Sequence, residues 1–201
     1  METKPTSETL IANTPLVDEL VQSVRSVLAS ERDTGKVARW TAAALRPYLN
    51  NPKLLTPEQR QPDPTRYRQH ILHADESGKF SIVALVWLPG QSTAVHDHVS
   101  WCVVGIHQGQ EREVQYRVLS DGGERYLLPI GECSFKAGSV SVLQPPGDIH
   151  TVYNPGPETA ISIHVYGADV RKLGSSIRFR YDLPIVETLP VSLRPRFAAA
   201  G

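Results

Sequence analysis

Leu16, Leu20, Val21, Val24 and Leu28 recur at intervals of three and four residues, the spacing of one buried helix face. Thr14 is placed to cap that helix and Pro15 to open it. Val37, Trp40, Thr41, Ala44, Leu45 and Tyr48 repeat the pattern and predict a second helix, ended by Asn50, Asn51 and Pro52. Residues 1–13 are polar and offer no periodic face, so they are expected to be flexible. From Asn51 to Thr65 periodicity is lost and four prolines mark a linker. Beyond about Arg66 the pattern changes to short alternating or continuous apolar runs, among them FSIVALVWL, WCVVGI, REVQYRVL, ERYLLPI, SVSVL, TAISIHVY and SIRFRYDL. About eight closely spaced strands with no helices between them predict a mainly β jelly-roll or barrel, with the N-terminal helices as an extension. The expected organisation is a flexible segment 1–13, a helical cap and linker 14–65, and a β-barrel domain 66–201.

Composition narrows the function. The 201 residues carry 21 Lys+Arg against 21 Asp+Glu, which removes the basic footprint of a nucleic-acid or anionic-membrane binder. No apolar run approaches the ~20 residues of a membrane span, and the N-terminus lacks a signal-peptide pattern, so a cytoplasmic location is expected. Two cysteines are too few for a disulfide-stapled scaffold. Activity must therefore reside in a local site.

The sharpest local pattern is His96-Asp97-His98. On a strand, residues two apart share a face, so both imidazoles converge while Asp97 turns away. A Pro145-Pro146-Gly147 turn then delivers His150 at the head of another β-like segment. Gly90-x5-His96-x-His98-x3-Cys102-x6-Gly109 and Gly138-x6-Pro145-x-Gly147-x2-His150-x3-Asn154 resemble the two cupin motifs, which implies a cupin jelly-roll with His96, His98 and His150 as metal ligands. Cys102 stands where most cupins have a glutamate ligand. Three neutral imidazoles would leave a divalent metal its full charge and open positions for an anion such as a thiolate.

In Ser162-Ile-His164-Val-Tyr166 alternation puts a hydroxyl, an imidazole and a phenol on one face. Ser162 can orient His164, and His164 can set the protonation and aim of the Tyr166 hydroxyl. From about Tyr67 to Tyr166 the chain resembles the thiol dioxygenases of the cysteine dioxygenase family. The resemblance rests on Tyr67, Gly78-Lys79-Phe80, Trp87, the His96/His98 pair, His150 and the Ser162-His164-Tyr166 triad. It implies a mononuclear non-haem Fe(II), a small thiol substrate, dioxygen as co-substrate and a sulfinic acid product, in a monomeric enzyme.

Two positions bear on the branch. Animal members hold the substrate carboxylate with an arginine shortly after the tyrosine matched by Tyr67, whereas Tyr67-Arg68-Gln69 aligns best with glutamine there. That resembles the bacterial branch with mercaptopropionate dioxygenases, whose carboxylate-binding arginine follows the triad. Arg171, Arg178 and Arg180 are the candidates and Arg178 is favoured, although extra residues, Val170 to Ser176, intervene; recruitment of Arg68 would weaken the branch assignment. Cys102 lies near the cysteine that animal members join to the triad tyrosine, so a Cys102–Tyr166 thioether is a candidate. A bulkier thiol such as ergothioneine, a Zn or Mn cupin isomerase or hydrolase, and a non-catalytic sensor remain alternatives. Of the other residues, His70, His73 and His107 are expected to be surface or satisfied histidines, Trp87 and Trp101 core and cavity wall, and Cys133 a buried inert thiol.

Overall fold

The computed structural model describes residues 12–188. Helix α1 (Pro15–Ser30) begins where the pattern places it, with the Thr14 hydroxyl accepting from the Val17 N–H at 3.3 Å. Helix α2 (Thr34–Leu45) is capped by Asp33, which accepts from the Lys36 N–H at 2.8 Å, and it runs on into a 3-10 turn at Arg46–Tyr48. Of the segment expected to be flexible, residues 1–11 lie outside the described residues. Asn13 is tied down, donating to the Leu72 carbonyl at 2.6 Å.

Ten strands form two antiparallel sheets. One sheet orders β1 (Arg68–Ala74), β2 (Ser81–Trp87), β9 (Ala160–Tyr166), β4 (Cys102–Gln108) and β7 (Val140–Leu143). The other orders β10 (Ile177–Arg180), β3 (His96–His98), β8 (His150–Tyr153), β5 (Gln110–Asp121) and β6 (Glu124–Lys136). From β2 onward the chain changes sheet at every connection except the β5–β6 hairpin, the winding of a jelly roll. The expected cupin-type, mainly β fold with an N-terminal helical extension is what the chain adopts. A four-residue helix α3 (Val170–Leu173), not read from the sequence, occupies the extra segment after β9. Among the described residues no helix is long and apolar enough to cross a membrane.

Why β2 and β9 read as continuous apolar runs follows from what covers them. Ile82, Ala84, Val86, Ile161, Ile163 and Val165 face outward and pack with Val17, Leu20, Val24 and Leu45 of the helices. Val83, Leu85, Trp87 and Ala160 face the barrel interior with Cys102, Val104 and Tyr166. The helices thus cover the outer face of one sheet; burying each such Leu or Val is worth roughly 1.5–3 kcal/mol. Close approach dictates Gly105, because a Cβ there would lie 2.7–2.8 Å from Leu45 and Leu49 side-chain carbons.

Asp75 ties α1 to the β1–β2 turn, meeting Arg25 Nε at 2.9 Å and accepting from the Ser77 N–H at 3.1 Å and from its hydroxyl. The Ser77 hydrogen bond, opposed by burial and aided by Arg25, lowers the Asp75 carboxyl to about 2. A depressed folded-state pKa contributes stability that is complete above the unfolded value and lost as pH falls through the folded one. Urea midpoints measured from neutral pH down to 2 should fall faster below pH ~4 in the native chain than in Asp75→Asn, whose curve starts lower and is flatter.

Candidate metal centre

Strand β3 contributes only three residues, and its alternation decides the site. His96 and His98 face the barrel interior, and His150 on β8 lies directly across from His96 in the antiparallel register. The three imidazoles are buried, with ring centroids 4.7–5.1 Å apart, and one nitrogen from each falls within 4.8 Å of the others.

Each ring turns its Nδ1 toward a different oxygen of the protein. His96 Nδ1 lies 2.9 Å from the Ala94 carbonyl, His98 Nδ1 lies 2.9 Å from Asp148 Oδ2, and His150 Nδ1 is 3.4 Å from Glu113 Oε1, an electrostatic contact without hydrogen-bond alignment. An acceptor at Nδ1 holds the proton there and leaves Nε2 bare, the state a metal ligand needs. Burial, reinforced by His150 and His98, pushes His96 down to about 3, so that imidazole is neutral at physiological pH. Burial also lowers His98 against the opposing pull of Asp148. Burial works to raise the Asp148 and Glu113 carboxyls, but His98 and His150 respectively outweigh it, and both stay ionised. His150 Nε2 is buried without a partner, an arrangement that costs stability unless something accepts its lone pair. Three converging, pre-aimed imidazoles with an orphaned nitrogen fit a divalent transition metal.

Facing the cluster from the opposite sheet is a hydrogen-bonded line along β9. Trp87 Nε1–H donates to Ser162 Oγ at 3.2 Å, Ser162 Oγ lies 2.9 Å from His164 Nε2, and the Tyr166 hydroxyl lies 3.2 Å from His164 Nδ1. Burial pushes His164 down to about 3 and Tyr166 up, so both are neutral. The Tyr166 ring centroid is 6.0 Å from that of His98, and the Tyr166 end of the line therefore borders the metal cluster. Cys102 pairs with Tyr166 across β4 and β9, and its Sγ lies 3.9 Å from the same His164 Nδ1. It is a free, buried thiol, raised by burial.

The substrate candidates separate by strand face. Tyr67 stacks on Trp87 with centroids 4.5 Å apart, and Gln69 lies opposite Leu85, on the interior-facing side of β1. Arg68 lies opposite Val86, on the side that faces the helices. The favoured Arg178 is not brought to the cluster. Its guanidinium bonds Asp97, which also accepts from the Phe179 N–H and the Tyr181 hydroxyl at 2.9 Å each, and together these pin β10 on the far side of β3. Arg178 lies at a register irregularity between Ile177 and Phe179, beyond which the exposed Arg180 is paired with His96. Arg171 bonds the Ala74 carbonyl at 3.2 Å and pairs with Asp169, away from the cluster.

Other expectations divide similarly. His107 is satisfied by the Leu49 carbonyl at 2.8 Å, His70 by the Gln61 carbonyl at 3.1 Å, and His73 meets Asp75 at 3.5 Å. Cys133 is exposed, not buried, because it lies on β6, the edge strand of its sheet. Asp148, Glu113 and the Ala94 carbonyl were not anticipated as histidine partners, nor was the buried Glu111. A signal existed: Asp148 is two residues before His150, and Glu111 and Glu113 alternate just after Gly109, so all are inward-facing by parity.

Comparison with known proteins places the chain among relatives. The profile of the family Cysteine dioxygenase type I matches residues 15–173. Cysteine dioxygenase type 1 of Danio rerio is 28% identical over 110 residues, covering 52% of this chain and 52% of the relative, so the match spans about half of that protein's length. Among solved structures, a Klebsiella pneumoniae protein with a double-stranded β-helix domain is 22% identical, covering 56% of this chain and 85% of that one at a TM-score of 0.42. A Cupin 2 conserved barrel domain protein of Salinispora arenicola is 25% identical, covering 52% and 78% at a TM-score of 0.38.

Proposed function

Because the chain belongs to the cysteine dioxygenase type I family, we propose that it is an Fe(II)-dependent thiol dioxygenase, a cytoplasmic monomer converting a small thiol and dioxygen to the sulfinic acid. The observation behind this reading is the facing arrangement of two sets, the His96, His98 and His150 cluster and the Ser162-His164-Tyr166 line. When bound, Fe(II) supplies the redox chemistry that joins a thiol to dioxygen. His96, His98 and His150 hold it without adding negative charge, which favours an anionic thiolate beside it. Tyr166, aimed by His164, offers a hydroxyl to the reacting groups, and the Trp87 and Tyr67 rings exclude water from one wall.

Gln69, Tyr67 and Arg180 are proposed to contact the rest of the substrate, with Arg180 taking a carboxylate in place of Arg178. Loss of a charge-assisted bond is worth ~1.5–3 kcal/mol, so Arg180→Ala should raise KM for cysteine and mercaptopropionate about 10-fold or more while leaving cysteamine, which has no carboxylate, unchanged. The register pairing of Cys102 with Tyr166 suits a thioether formed with dioxygen as oxidant. Intact mass should then fall by two hydrogens in aerobically matured protein and not in Cys102→Ala; an unshifted mass would remove the cross-link from the proposal.

The test is oxygen uptake by the Fe(II)-loaded protein against cysteine, mercaptopropionate, cysteamine and ergothioneine. Uptake with one of them supports the reading and ranks the substrates. No uptake with any thiol contradicts it.

A further inference from the structure

Glu111 lies on β5 with its side chain inside the barrel, 2% exposed, and its Oε1 is buried without a hydrogen-bond partner. The sheet that carries it faces β9, and the groups beside its carboxyl are the Ser162 hydroxyl and the Trp87 indole. An unpaired buried carboxyl at the inner end of a hydrogen-bonded line is costly, and none of the roles assigned above uses it.

Resting on the thiol dioxygenase reading, we propose that Glu111 is the terminal proton acceptor of the Ser162-His164-Tyr166 line and receives the proton that a thiol releases on binding as thiolate. The hydrogen-bond inventory of Ser162 permits both states. With Glu111 ionised, Ser162 O–H donates to the carboxylate, and Ser162 Oγ accepts from Trp87 Nε1–H and His164 Nε2–H. His164 Nδ1 is then bare and accepts the Tyr166 O–H. With Glu111 protonated, its O–H donates to Ser162 Oγ, Ser162 O–H donates to His164 Nε2, and His164 Nδ1–H donates to the Tyr166 oxygen. The Tyr166 O–H is then released toward the cavity.

One concerted shift interconverts them. The thiol S–H bond breaks and its proton joins the Tyr166 oxygen; the Tyr166 proton passes to His164 Nδ1, the His164 Nε2 proton to Ser162, and the Ser162 proton to Glu111. No atom is left charged along the line, and no oxidant is needed. The same shift turns the Tyr166 hydroxyl from an inward donor into one that serves the reacting groups, so substrate arrival would itself aim it.

The electrostatics allow the exchange near neutrality. Burial raises the Glu111 carboxyl to about 7, with the nearby Ser162 hydroxyl and Trp87 indole opposing and the Glu113 charge on the same strand assisting. The other titratable groups sensing it are Cys102 and Tyr166, both held neutral by burial.

Difference infrared spectroscopy on the full-length, metal-loaded protein tests this. Adding thiol without dioxygen should make a protonated-carboxyl band grow, and Glu111→Gln should lack it while binding thiol and keeping the native circular dichroism spectrum. Without thiol, the same band should titrate with a midpoint near 7, and Ser162→Ala should move that midpoint up by removing a bond that favours the ionised form. Thiol binding without the band, or a band that persists in Glu111→Gln, overturns the proposal. If no thiol binds, the dioxygenase reading falls, and the resting titration decides separately: a carboxyl that does not titrate near neutrality removes Glu111 as acceptor.

Discussion

Replacing His150 with alanine should leave a folded protein that retains no metal and takes up no oxygen above the metal-free background. The cluster contains three imidazoles and no carboxylate, so no spare ligand can close the gap. Glu113 would not substitute. It sits behind the ring, 3.4 Å from Nδ1, and is not among the residues whose ligand atoms converge. The loss should also be abrupt, because the site is preformed: the rings are buried and pre-aimed, and the His150 Nε2 atom has no hydrogen-bond partner among the described residues. Deleting the ring removes that orphaned nitrogen but also opens a cavity and strips the buried Glu113 carboxylate of its partner, so His150→Ala should be less stable in urea than the metal-free native chain. Metal content by elemental analysis and the urea midpoint check the two halves of this expectation.

Asp148→Asn should weaken metal affinity about 10–100-fold without removing any ligand atom. Asp148 Oδ2 accepts from the His98 ring at 2.9 Å and also from the His98 backbone N–H at 3.2 Å, so one oxygen fixes both the strand and the ring. An asparagine keeps the shape and can still offer a carbonyl, but it gives up the negative charge that makes the imidazole a better donor to a cation. Chelator competition against native protein measures the shift. Asp97→Asn is the control. It lies between two ligands in sequence, yet its carboxylate is spent on Arg178, Tyr181 and the Phe179 N–H, so it should loosen β10 while leaving metal affinity nearly unchanged.

These two residues also show what the sequence made legible. His96, His98 and His150 could be assigned because strand parity is local and the cupin-like spacing joins distant segments. Ser162, His164 and Tyr166 followed from the same parity. What parity cannot supply is which inward-facing groups meet: Asp148 and Glu113 find His98 and His150 on neighbouring strands of their own sheet, whereas Glu111 lies beside Ser162 and Trp87 of the other. Arg178 was favoured only from its place after the triad, and its bond to Asp97 depends on how β10 pairs with β3, which spacing in the sequence does not give. The helices were correctly delimited near Pro15, where capping is local, but their docking on the outer face of β2, β9 and β4 depends on a second apolar face that continuous runs do not distinguish.

The central claim is that this cluster and the facing line add both atoms of dioxygen to a thiol sulfur. Turnover of the Fe(II)-loaded protein with isotope-labelled dioxygen and the best thiol of the panel, followed by product mass, tests it most directly. The account predicts a sulfinic acid carrying two labelled oxygens, formed by the native chain and not by His150→Ala. A disulfide product, one labelled oxygen, or equal turnover in His150→Ala would contradict it.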